Sequence, residues 1–186
     1  MVWSCLVSIL PGMAQTEKLT DYVNPFVGTD GYGNVYPGAQ IPFGGIQISP
    51  DTDSRFYDAA SGYKYNHLTL MGFSLTHLSG TGIPDLGDFL FIPGTGEMKL
   101  EPDTHEDPDQ GYRSRYSHDK EWASPNYYAV ELADYGVKAE MTSGVRSGMF
   151  RFTYPESDNA FIMIDMNHTL WQSCEWSNLR MINDST

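Results

Sequence analysis

Cysteine is nearly absent from this chain. Its 186 residues hold two, Cys5 and Cys174, and removal of an N-terminal segment bearing Cys5 would leave no disulfide framework and no paired-cysteine metal site. Basic residues are scarce as well: 11 Lys and Arg stand against 24 Asp and Glu, for a formal net charge of −13. That balance excludes nucleic acid and anionic membrane surfaces as natural partners. No apolar run is long enough to cross a bilayer, which argues against membrane insertion. No stretch sustains a helical period with caps at its ends, and there is neither an internal repeat nor a low-complexity tract. The common chemical signatures also fail. There is no phosphate-cradling loop, since "GTGEMK" has only half the pattern, and no nucleophile elbow. The five His residues are dispersed, with no zinc-type pair. "DTDSRFYD" opens like a calcium loop, but Arg55 and Phe56 occupy positions that need an oxygen ligand and a glycine. Asn167 and Asn183 open formal glycosylation tripeptides, to which chance frequency assigns no role.

What remains is an acidic, aromatic-rich chain long enough for one domain with a real core. Aromatics make up 13% of it and Tyr leads them with 12, a composition that argues against disorder. The first fourteen residues, "MVWSCLVSILPGMA", carry no charge and end in a small-x-small pattern, Gly12-Met13-Ala14. They read as a truncated export signal cut before Gln15, although the usual Lys or Arg is missing; a buried strand is the alternative. Cleavage leaves Cys174 unpaired, which in an exported protein points to a small buried apolar residue rather than a reactive thiol.

Period two dominates the rest. "YYAVEL" sets Tyr128, Val130 and Leu132 against Ala129 and Glu131, and "VKAEMTS" sets Val137, Ala139 and Met141 against Lys138 and Glu140. "GMFRFTYP" aligns Phe150, Phe152 and Tyr154. Each predicts a half-buried strand, and the Gly-bearing connections between them predict a meander. "AFIMIDM", "GGIQIS", "LMGFSLTHL" and "DFLFIP" predict further strands, with a bulge at Gly72. "EPDTHEDPDQG", Glu101 to Gly111, predicts a solvated loop. Prolines cluster at strand ends, which suits a sandwich. The fold class is all-β.

"HLSGTGIPDLGD", His77 to Asp88, interrupts this apolar alternation with three glycines and short polar side chains. Such a loop lets backbone N–H groups and small side chains approach a ligand closely; an ordinary turn is the plainer reading. Asp85 and Asp88 are near enough for an acid/base pair, but carboxylates in Gly-rich turns more often bond their own backbone. Loop shaping or sugar contact fits them better than catalysis.

Three long blocks carry a resemblance: "VNPFVGTDGYGNVYPGAQIPFGGIQISPDT", "SGYKYNHLTLMGFSLTHLSGTGIPDLGD" and "YSHDKEWASPNYYAVELADYGVKAEMTSGVRSGMFRFTYP". In this order, from Asp21 to at least Pro155, they resemble the N-terminal domain of glycoside hydrolase family 92, the bacterial exo-acting, calcium-dependent, inverting α-mannosidases. The resemblance implies an antiparallel β-sandwich of galactose-mutarotase-like type. It implies a separate C-terminal (α/α)6 domain that supplies the catalytic acid, the base and the calcium site. No catalytic or metal residue then lies within this chain, which alone releases no mannose. The sandwich is expected to be incomplete at its C-terminal end, where Leu179 and Met181 in "NLRMINDST" suggest a strand cut short.

The same resemblance places "HLSGTGIPDLGD" at the edge of a mannose pocket. Gly80 and Gly82 then admit the backbone to sugar hydroxyls, while Ser79, Thr81 and Asp85 offer donors and acceptors. His77 either orients the loop or touches the sugar. Ile83 faces the leaving-group sugar, which leaves the linkage preference open. Tyr36, Gly38 and Pro42 in the first block shape the fold. The implied partners are mannose-containing glycans and the helical domain. The implied chemistry is single displacement, with an acid on the glycosidic oxygen and a base on water, roughly 6.5–9.5 Å apart. Two other functions are compatible with the sequence. A stand-alone carbohydrate-binding module would bind mannosides by itself; an N-glycan amidase would need a nucleophile constellation that "QSCEW" around Cys174 does not show.

Overall fold

A computed structural model describes residues 17–54 and 59–183; the segment expected to be an export signal and the second half of "DTDSRFYD" lie outside them. Alternating runs become strands as their period requires. In chain order these are β1 (Ala39–Gln40), β2 (Gln47–Asp51), β3 (Thr69–Leu70), β4 (Gly72–Ser74), β5 (Thr76–His77), β6 (Leu86–Gly87), β7 (Leu90–Thr95), β8 (Ser114–Arg115), β9 (Glu121–Ser124), β10 (Tyr127–Leu132), β11 (Val137–Ser143), β12 (Gly148–Thr153) and β13 (Ala160–Asp165). The helical turns described, Leu19–Tyr22, Pro108–Gln110 and His118–Lys120, are short 3-10 segments.

Two antiparallel sheets form the sandwich. One has the order β1-β2-β4-β7-β13, the other β12-β11-β10-β9. The second sheet is the expected meander, in register Val130↔Ala139 and Ala139↔Phe152. Its inward residues are those the alternation selected: Tyr128, Val130, Leu132, Val137, Ala139 and Met141 are all buried, packed with Ile48 and Phe73 of the first sheet. Each fully buried aliphatic side chain of this kind contributes about 1.5–3 kcal/mol. Aromatic rings tie the layers together, with Phe150 over Phe91 at 4.9 Å between centroids. The far face of the first sheet carries a smaller cluster, Met71, Leu90, Ile92 and Tyr112.

Three expectations change in the structure. "LMGFSLTHL" is not one strand. Leu70 pairs with Ser114 in a small separate sheet, whereas Gly72 already pairs with Asp51 and lies against β7. A Cβ at position 72 would stand 2.8 Å from the Phe91 carbonyl oxygen, so the glycine marks a close crossing where the run changes partner. "EPDTHEDPDQG" is not simply solvated: Pro108 is buried, and His105 stacks on His67 with centroids 4.5 Å apart. Leu179 and Met181 form no strand and are exposed.

Candidate functional site

The segment His77–Asp88 folds as a β-hairpin loop. Thr76 pairs with Gly87 and His77 with Leu86, leaving 78–85 as the tip. Ser79, Gly80, Ile83 and Asp85 are exposed there, while Thr81 and Gly82 are half-buried. Ile83 stands 68% exposed, an isolated aliphatic side chain among polar ones. The tip holds its shape through its own groups: Thr81 Oγ1 donates to Ile83 O at 2.8 Å, and Asp85 Oδ1 accepts from the Leu86 N–H at 2.8 Å. The Gly80 N–H donates to Asn34 O at 2.7 Å, docking the tip on the first Gly-rich loop. Beneath that loop Tyr36 is buried in the core, and a Cβ at Gly38 would collide with Ile48 O, so both shape the fold. Asp88 accepts from Thr76 Oγ1 at 2.7 Å and closes the hairpin.

The return strand is strained. Leu86, Gly87, Asp88 and Phe89 all have positive φ, at 74°, 110°, 45° and 52°. Non-glycine residues adopt such values only when their surroundings over-determine them, at about 1–3 kcal/mol each. Here the surroundings do: Leu86 O accepts from the Leu170 N–H, and Gly87 O from the Leu75 N–H.

His77 sits below the tip and is buried. Its Nδ1 lies 2.7 Å from Gln47 O, and its Nε2 lies 2.8 Å from Asp51 Oδ1 and 3.0 Å from Ser74 Oγ. A carbonyl oxygen and a carboxylate oxygen thus hold the ring from both ends. Asp51, fully buried, accepts from His168 Nε2 at 2.7 Å on its other oxygen. Burial alone would raise the Asp51 carboxyl, but the charge and hydrogen bonds of the two histidines outweigh it and hold the group well below the usual carboxylate range. Gly62 has φ +84°, and a Cβ there would lie 2.1 Å from Asp51 Oδ1, so only glycine leaves room for the carboxylate.

Beside His168 lies an open cleft of about 430 Å³, bordered by Tyr112, Asp165, Asn167, Trp171 and Gln172 among others. Cys174 is half-buried rather than buried, and its thiol donates to Trp176 O. Sequence reasoning did not find Asp51 or His168. Asp51 was part of the failed calcium pattern and His168 of a glycosylation tripeptide, and no spacing rule links positions 51, 77 and 168. A second buried carboxylate, Glu121, accepts from Tyr63, Tyr128 and His118; burial first, then the Glu121 charge, pushes the Tyr128 hydroxyl far above its usual range. Among the described residues no group of three His, Cys, Asp or Glu side chains could hold a metal ion. Nor is any helix there long and apolar enough to cross a membrane.

Sheets and loop together define a two-sheet β-sandwich domain that presents a short-side-chain hairpin on a charged, buried base. The chain belongs to the glycosyl hydrolase family 92 N-terminal domain, which it matches over residues 22–186. It is 99% identical to the family GH92 alpha-mannosidase BT3965 from Bacteroides thetaiotaomicron, with a TM-score of 0.89 over 90% of this chain and 23% of that one. BT3965 is also solved in complex with mannoimidazole. The family GH92 inverting mannosidase BT2199 from Bacteroides thetaiotaomicron VPI-5482 is 29% identical, with a TM-score of 0.66 over 81% of this chain and 20% of its own. An uncharacterized secreted glycosidase of Arthroderma benhamiae is 29% identical over 140 residues, 74% of this chain and 17% of that protein. The chain therefore spans between 17% and 23% of the length of these three relatives.

Proposed function

We propose that this chain is the pocket-forming β-sandwich of an exported, exo-acting, inverting α-mannosidase, and that the hairpin tip 78–85 borders the site for the terminal mannose. The placement of the tip carries this reading. It is exposed, it bears the Ser79 hydroxyl and the Asp85 carboxylate, and its base is immobilised in the core. Sugar recognition needs this combination, because hydroxyl groups are discriminated by donors and acceptors held in fixed directions.

The roles divide along the loop. Ser79 and the free oxygen of Asp85 face outward to bond sugar hydroxyls, Gly80 and Gly82 keep the backbone accessible, and Thr81 spends its hydroxyl on the loop itself. Ile83 offers an apolar contact toward the leaving-group side. His77 acts from below, since both of its nitrogens are engaged within the protein.

Proton transfer belongs to other parts of the longer protein, in a helical domain. Asp85 is fixed to Leu86 and Asp88 to Thr76, and neither is arranged to protonate a glycosidic oxygen. Calcium, which the family implies, does not fit the donor sets of the described residues. The buried Asp51 has both oxygens committed to histidines, and no further acidic groups converge on it. If the loop contacts mannose, Ser79→Ala and Asp85→Ala in the longer enzyme each raise KM roughly three- to tenfold. That is the equivalent of the ~0.5–1.5 kcal/mol that one hydrogen bond contributes. Steady-state kinetics on an α-linked mannobiose checks this, and unchanged KM in both variants rejects the contact.

A further inference from the structure

Asp51 closes β2 inside the core, and its two oxygens serve histidines from different parts of the chain. One part is the outgoing foot of the hairpin, and the other is a separate segment that pairs with its return foot. His77 ends β5, the outgoing strand. His168 is followed by Thr169, which forms a β-bridge with Gly87 of β6, and by Leu170, whose N–H donates to Leu86 O at 2.8 Å. Outgoing and return feet are thus bound to one carboxylate, the first through a side chain and the second through the backbone beside His168.

We propose that Asp51, His77 and His168 form a positioning bridge that fixes both feet of the hairpin and so sets where Ser79 to Asp85 stand relative to the bound sugar. This rests on the reading that the tip contacts mannose. The three residues do not touch the sugar; they act through the loop.

Three features support a positioning part rather than simple packing. Side chains of similar volume without charge would fill the same space, often with equal or better stability, so a buried carboxylate held by two histidines is not explained by stability. Hydrogen bonds at 2.7 and 2.8 Å from opposite sides fix the carboxylate plane, which apolar contacts do not do. The segment held is the strained one, Leu86 to Phe89, whose positive φ values relax if its anchor at Leu170 loosens. A loop released in this way occupies its binding-competent position only part of the time, and the apparent affinity falls by that fraction.

The test uses the longer Bacteroides mannosidase to which this chain is 99% identical. Asp51→Asn keeps the size of the side chain and removes its charge. The expected result is a KM raised about five- to tenfold with kcat changed less than about twofold, and amide hydrogen exchange at residues 78–87 accelerated at least about tenfold. Met141→Ala, a truncation in the other sheet, lowers thermal stability but leaves KM and that exchange unchanged. His168→Ala reproduces the Asp51→Asn pattern, whereas His168→Gln, which keeps an N–H toward Asp51, restores much of the wild-type KM. If Asp51→Asn fails to fold, the two His168 variants decide alone. The bridge is overturned if Asp51→Asn or His168→Ala changes stability only, with KM and loop exchange at wild-type values, while Ser79→Ala still raises KM. If instead loop exchange accelerates but neither Ser79→Ala nor Asp51→Asn moves KM, the sugar contact fails, and with it the functional part of the bridge.

Discussion

Charge is handled residue by residue in this domain, through burial of single carboxylates among donors. Glu140 on β11 is gripped by Arg151 at 2.6 and 2.7 Å and accepts from the Tyr127 hydroxyl at 2.7 Å, with Lys138 at 3.5 Å. Hydrogen bonds from Arg151, then from Tyr127, lower its carboxyl from an ordinary 4.5 to about 2. The sign follows from linkage. A carboxyl depressed in the folded state stabilises above its unfolded value, and that contribution is lost as pH falls from about 4.5 toward 2. Asp51 acts in the same direction. Thermal melts between pH 6 and pH 3 should show stability falling on acidification, with a shallower fall in Glu140→Gln. An equal slope in the variant would remove Glu140 from the account.

At the scale of elements, the hairpin and the short strand β4 depend on close approach of backbones. Gly72 is the tightest of these points between β4 and β7, with the Phe91 carbonyl on one side and the Leu90 and Ile92 side chains within 2.9 Å of a would-be Cβ. Since the first sheet runs through β4, Gly72→Ala should separate β4 from β7 at an overpacking cost of about 1–3 kcal/mol. Chemical denaturation measures this as a lower midpoint at unchanged slope. A variant of wild-type stability would mean the crossing has slack that the distances deny. The same sheet holds Asp51 at the end of β2, so the element that carries the core also carries the base of the loop.

Across the whole molecule the two sheets do not cover one another evenly. Ile164 pairs with Phe91, and so shares the face that the second sheet covers elsewhere, yet Ile162 and Ile164 are 52% and 45% exposed. β13 is an edge strand, and this face of it is left about half exposed. An apolar edge of this kind favours strand-to-strand association. The chain expressed by itself should therefore self-associate, and Ile162→Lys with Ile164→Lys should return it toward the monomer. Light scattering after size exclusion reads both; a wild-type monomer at tens of micromolar would show that the face is tolerated in water.

The sequence by itself determined the all-β class, the meander from Tyr127 to Thr153 and most of the core. Period two assigns each residue a side, and a buried sheet face accepts only the apolar side. It also placed the hairpin tip, because Gly, Ser, Thr and Asp cluster there in continuous chain. Only the tertiary structure decided what holds that tip. Asp51, His77 and His168 lie on three separate segments, and their meeting depends on sheet order and on the close passage allowed by Gly62, neither of which is written in local spacing. The split of "LMGFSLTHL" between sheets and the packing of His105 on His67 were decided in the same way. Local chemistry sets which side chains are buried, but which buried groups face each other is fixed by long-range pairing.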